Sequence, residues 1–150
     1  MVNPINAAVA AMTTAQITAE SGTHIEGLVW RYDSNGNLVS GPEQRLIDLA
    51  DNMKDAVITF AREQFTRGFG MMNWQDGDRL GAITRRIIMG FSVQDRASAL
   101  YTLHTIFREE ALRIQDAVQQ AMPNWTHGQP VPNDILSPIL SGEVGFNTTV

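Results

Sequence analysis

The sequence predicts a single, mainly α-helical domain with a three-helix core, a small peripheral β-hairpin, an N-terminal Ala-rich helix and an extended C-terminal arm. Three observations indicate this fold class. Apolar residues recur at helical spacing through residues 42–122, strand-like alternation flanks one turn signal, and four of the six prolines lie after residue 122. A length of 150 residues fits one domain. We place the N-terminal helix and hairpin in 1–40, the helical core in 41–122 and the arm in 123–150.

Three core helices are expected, over about residues 42–67, 78–89 and 93–122. The first is predicted to begin at a capping box formed by Ser40 and Glu43. The last carries an apolar seam at alternating spacings of four and three residues, which is typical of helices that pack along their length. Its members are Val93, Ala97, Leu100, His104, Phe107, Ala111, Ile114, Val118 and Ala121.

The hairpin is predicted around one turn signal. Trp30 and Tyr32 alternate with their neighbours at the period of a strand. Asn35-Gly36 then predicts a two-residue turn that pairs Tyr32 with Val39. Because a lone hairpin is marginal in water, we expect Trp30 and Tyr32 to lie in an interface.

Both ends of the chain are predicted to dock on another surface. Asn3 before Pro4 indicates a helix start, and the Ala-rich stretch to about Ala19 predicts a helix too weak to persist without packing. After Pro123 no period emerges, yet large apolar residues continue, and disordered tails are poor in such residues. The arm could cover its own helices or those of a neighbour, and its expected interface anchors are Trp125, Leu136, Ile139 and Phe146.

The residues offer little basis for catalysis or metal binding. The absence of cysteine excludes disulfides, thiol nucleophiles and Cys-ligated clusters. No nucleophile elbow, phosphate loop or dinucleotide fingerprint occurs. Phe107 and Arg108 occupy the positions where a metal pair with His104 needs a carboxylate, and Glu109 is the expected i,i+4 partner of Arg113. We therefore predict a non-enzymatic protein with no catalytic residue, metal or cofactor.

Charge argues against a general nucleic-acid coat, because the net charge is −5 and phosphate neutralisation dominates such binding. A local cluster of arginines is the exception. Arg79, Arg85 and Arg86 are candidates for contact with an acidic partner or a phosphate, and a solvated face with ion pairs is the alternative interpretation. Contact with nucleic acid is thus possible in principle but not the favoured prediction.

The hydropathy pattern predicts no membrane span, since no run approaches 18 apolar residues. Residues 1–19 lack the basic start and unbroken apolar stretch of a signal peptide. The expected location is the cytoplasm or a virion.

The predicted role follows from the apolar ends. Exchanged arms convert chain length into interface area, so the first hypothesis is a structural subunit of an ordered homo- or hetero-oligomer, such as a virion, connector or ring component. Its partners would be copies of itself or neighbouring assembly proteins. One alternative is a small acidic protein that inhibits or regulates a partner. Another is a helical-bundle enzyme whose site the sequence does not reveal.

Overall fold

A computed structural model describes residues 25–68, 70 and 76–142. The mainly helical fold with one small hairpin is confirmed. The predicted Ala-rich helix up to Ala19 and the predicted anchor Phe146 lie outside the described residues. In chain order the elements are β1 (Arg31–Tyr32), β2 (Leu38–Ser40), α1 (Asp51–Thr66), α2 (Gly77–Ile88), a 3-10 turn (Val93–Asp95), α3 (Arg96–Ala121) and α4 (Asn133–Leu140).

The longest helix, α3, is the centre of the fold, and α1, α2 and α4 all pack against it. Phe107 of α3 lies beside Phe60 of α1, with 5.8 Å between ring centroids. Five of the nine members of the predicted seam are buried and Leu100 is partly buried, but Val93, His104 and Ala121 are exposed. A straight helix drifts by ~20° per heptad from a 3.5-residue repeat, so a long heptad stripe leaves the buried face at its end.

The first core helix begins later than the sequence indicates. α1 starts at Asp51, so the capping box predicted at Ser40 and Glu43 is wrong. The non-helical residues 41–50 instead lie alongside α3 and donate backbone hydrogen bonds to its hydroxyl groups. The N–H of Ile47 donates to Thr102 Oγ1 at 3.0 Å, and the N–H of Arg45 donates to Ser98 Oγ at 3.2 Å. Ser98 and Thr102 are buried, and buried hydroxyls need such partners. This tertiary bonding replaces the helical bonds that local propensity favoured.

The C-terminal segment covers the chain's own core. Trp125 is 2% exposed, its rings lie 6.1 Å from the Phe65 ring of α1, and its indole N–H donates to the Gln129 carbonyl at 2.9 Å. Leu136 and Ile139 are each 1% exposed. They lie in α4, which packs on α3 and α1.

This packing corrects the prediction that Trp125, Leu136 and Ile139 anchor contacts between subunits, because all three side chains are buried against residues of their own chain. The segment predicted as an extended arm also contains the helix α4. An eight-residue helix is unstable in isolation. Burial of its apolar side chains therefore stabilises α4. Because this stabilisation comes from tertiary packing, sequence periodicity alone did not indicate a helix here.

One cluster of charges joins three helices. Glu110 of α3 accepts hydrogen bonds from Arg62 of α1 at 2.8 Å and from Arg113 at 2.9 Å. Arg113 also donates to the Ile139 carbonyl near the end of α4 at 3.0 Å. The expected pairing of Arg113 with Glu109 is wrong, because the i,i+3 neighbour Glu110 faces the packed side of the helix with its side chain only 12% exposed. Hydrogen bonds from Arg113, and then from Arg62, lower the pKa of Glu110 although burial opposes the shift.

Replacing Trp125 with alanine should lower the free energy of unfolding by ~3–5 kcal/mol, because the change leaves a cavity beside Phe65. Leu46→Ala is the control, since Leu46 is 62% exposed and surface changes usually stay within about 0.5 kcal/mol. Urea denaturation followed by far-UV circular dichroism measures both. Equal stability of the two variants would show that Trp125 is not part of this core.

Replacing Glu110 with glutamine should lower the free energy of unfolding at neutral pH by ~1–3 kcal/mol, because charge-assisted hydrogen bonds are lost. The pKa of Glu110 is lowered by folding, so its contribution is present above the unfolded pKa of about 4.3 and is lost as pH falls below that value. The difference in the free energy of unfolding between wild type and Glu110→Gln should therefore disappear at acidic pH.

Denaturant titrations at neutral and acidic pH test this dependence on Glu110. The matched control is Glu109→Gln, which changes an exposed carboxylate with no ion pair to any described residue. A stability difference for Glu110→Gln that stays constant with pH would contradict the expected titration.

Candidate functional site

The most exposed large apolar side chains of the described residues lie in and after the hairpin. Val39, Leu46 and Leu38 are 63%, 62% and 60% exposed. Successive side chains of a strand point to opposite faces. Because Leu38 and Val39 are both exposed, neither face of β2 packs on the core. We refer to Leu38 and Val39 together as the β2 patch.

The loop that holds the β2 patch differs from the predicted turn. Tyr32 pairs with Leu38 rather than with Val39, and the register is irregular next to this pair. The carboxylate of Asp33 accepts hydrogen bonds from the backbone N–H groups of Asn35 and Asn37, each at 2.9 Å. These bonds, first that from Asn37, lower the pKa of Asp33. The side chain of Asp33 thus builds a longer loop and shifts the register from that of a two-residue turn.

Both outer edges of the hairpin are open within residues 25–68 and 76–142, where the sheet has two strands, β1 and β2. An outer edge presents unpaired backbone N–H and C=O groups that can pair with another strand. The β2 patch therefore combines exposed apolar side chains with a backbone edge. This combination is what strand addition to a neighbouring chain requires.

The two aromatic residues predicted as hairpin contacts are less exposed than the aliphatic ones. Trp30 and Tyr32 are half-buried. The indole of Trp30 covers Gly41, where an added Cβ would overlap Trp30 Cδ1. A signal for the β2 patch was present in the sequence, because two adjacent apolar residues in one strand cannot both face the same core.

The three arginines predicted as one basic contact do not share one role. Arg79 of α2 pairs with Glu63 at 3.2 Å and with Asp76 at 3.8 Å, and its guanidinium carbon lies 5.3 Å from the Phe60 ring centroid. Through these contacts Arg79 holds α2 against α1. Arg85 and Arg86 are exposed in the last turn of α2, and neither forms an ion pair with a described residue.

Other kinds of site find no support in the part of the chain that the structure describes. No group of three or more histidine, aspartate or glutamate side chains is placed to hold a metal ion there. None of its helices combines the length and the apolar content needed to cross a bilayer.

Comparison with known proteins gives a family but no function. Neither curated proteins nor solved structures contain a significant match to this chain. One family model, described as a domain of unknown function (DUF3879), matches residues 3–150, which is nearly the whole sequence. The chain therefore belongs to the DUF3879 family.

Proposed function

We propose that this protein is a non-enzymatic subunit of an ordered assembly and that it contacts neighbouring copies of itself through the β2 patch. The observation that carries the proposal is the double exposure of β2: Leu38 and Val39 point to opposite faces, and each is at least 60% exposed. A strand whose apolar side chains are left exposed by the described residues gains most from a partner.

The energetics favour association at this edge. Full burial of a leucine or valine side chain contributes ~1.5–3 kcal/mol relative to full exposure, and most of that gain is still unused at Leu38 and Val39. A two-stranded hairpin is marginally stable in water, whereas three or more strands with a buried face are stable. Pairing of β2 with a second hairpin would add both the strands and the apolar contacts.

The structure changes which part of the chain is proposed to make the contact. The sequence suggested the chain ends, but Trp125, Leu136 and Ile139 are buried in their own subunit. The described residues that carry these side chains therefore belong to the subunit's own core, and we place the proposed assembly contact at the hairpin. The proposed partner is a second copy of this chain.

Replacing Val39 with lysine should weaken self-association by at least about tenfold, or ~1.4 kcal/mol, because the interface would bury an unpaired ammonium group. Sedimentation velocity across a wide concentration range measures the oligomer. Met89→Lys is the matched control: Met89 is 49% exposed but lies at the end of α2. Helix content should be unchanged in both variants, because each site is on the surface.

Two results would count against the assembly role. Wild-type protein that sediments as a monomer at every concentration would remove self-association altogether. Association that survives Val39→Lys as well as it survives Met89→Lys would move the contact away from β2.

A further inference from the structure

A second candidate site lies at the junction of α2, α3 and residues 25–28, separate from the β2 patch. An open cavity of about 210 Å³ is found there. Its apolar wall is formed by Ile25, Leu28, Ile88 and Leu100. At about 30 Å³ for each water molecule, the space corresponds to roughly seven waters, so a ligand that fills it must be small.

We propose that this cavity binds a small amphipathic carboxylate, with the carboxylate on Arg85 and the apolar body on the wall formed by α2 and α3. Arg85 lines the cavity. Its guanidinium has no ion pair with a described residue; it shares this state with Arg86 and Arg108, whereas Arg62, Arg79 and Arg113 each pair with a carboxylate. What distinguishes Arg85 is its place: it lines an apolar wall, and no carboxylate of the described residues forms an ion pair with it.

The chemistry of Arg85 indicates the ligand's head group. A guanidinium presents a planar fork of donors that matches both oxygens of a carboxylate. One unpaired cation balances a single negative charge, which favours a monocarboxylate over a dianionic phosphate. The adjoining hydrocarbon also excludes water on one side, and a charge-assisted hydrogen bond is stronger in such surroundings.

His104 of α3 is the other ionisable side chain that lines the cavity, while the hydroxyl of Thr84, which also lines it, donates to the Leu80 carbonyl. Part of His104 reaches solvent, but desolvation of the imidazole lowers its pKa. The neutral ring can donate one hydrogen bond and accept another. It therefore adds no second positive charge that would favour a dianion, and it leaves Arg85 to set the charge preference.

A larger residue in place of Gly81 is expected to fill the cavity without disturbing the fold. Gly81 lies on the cavity wall in α2, and an added Cβ would meet no atom within 4 Å. Leucine is a far better helix former than glycine. Gly81→Leu should therefore preserve α2 while its side chain occupies space that the ligand needs.

The test is calorimetric titration of the full chain with sodium octanoate, and with 1-octanol as the uncharged probe. We expect saturable binding of octanoate at one site per chain and at least tenfold weaker binding of octanol. Arg85→Gln should weaken octanoate binding at least tenfold, and Gly81→Leu should abolish it. Arg86→Gln is the matched control, because Arg86 is an exposed, unpaired neighbour that does not line the cavity.

Three outcomes would overturn the proposal. The first is the absence of saturable octanoate binding to the wild-type chain. The second is an equal loss of affinity in Arg85→Gln and Arg86→Gln, which would indicate a general effect of charge. The third is equal affinity for octanol, which would show an apolar surface without carboxylate recognition. Octanoate binding by Val39→Lys would be unchanged, so this test is independent of the assembly proposal.

Discussion

Packing of α1, α2 and α4 around α3 is the constraint on which the rest of the structure depends. α1 and α2 have 16 and 12 residues and α4 has eight, and isolated helices of such lengths are marginal in water. Alanines on α3, among them Ala97 and Ala111, are fully buried and let neighbouring helices approach closely. Glu110 then holds α1 on α3 through Arg62, and its partner Arg113 holds α4 through the Ile139 carbonyl. Removing one partner of a buried charge is costly.

Sequence periodicity was sufficient to predict the elements that form the centre of this packing. α2 and α3 were located to within a few residues, because their apolar positions recur at helical spacing over many turns. The start of α1 was not predictable from local signals. The start of α1 is set by hydrogen bonds from the backbone N–H groups of Arg45 and Ile47 to hydroxyl groups of α3, and those hydroxyls lie more than fifty residues away in sequence. The same reason applies to α4, whose short sequence becomes helical only where α3 can bury Leu136 and Ile139.

The candidate sites were harder to predict than the fold, because exposure depends on which surfaces the helices leave uncovered. Alternation predicted Trp30 and Tyr32 as the contact residues of the hairpin, but its most exposed large apolar side chains are Leu38 and Val39. The arginines show the same effect. Arg79 and Arg85 are alike in sequence, and only the fold places Glu63 beside the first and an apolar wall beside the second. Charge pattern alone therefore could not distinguish an arginine that joins two helices from one that lines an apolar cavity.

The position of Trp125 over Phe65 has a consequence for biosynthesis. α1 is synthesised long before the segment that covers it, so a nascent chain exposes the Phe65 side of α1 while α2 and α3 are being made. Native packing can close only once the ribosome has released the segment that carries Trp125 and α4. Until that segment has emerged, the nascent chain presents an apolar helix surface of the kind that chaperones recognise.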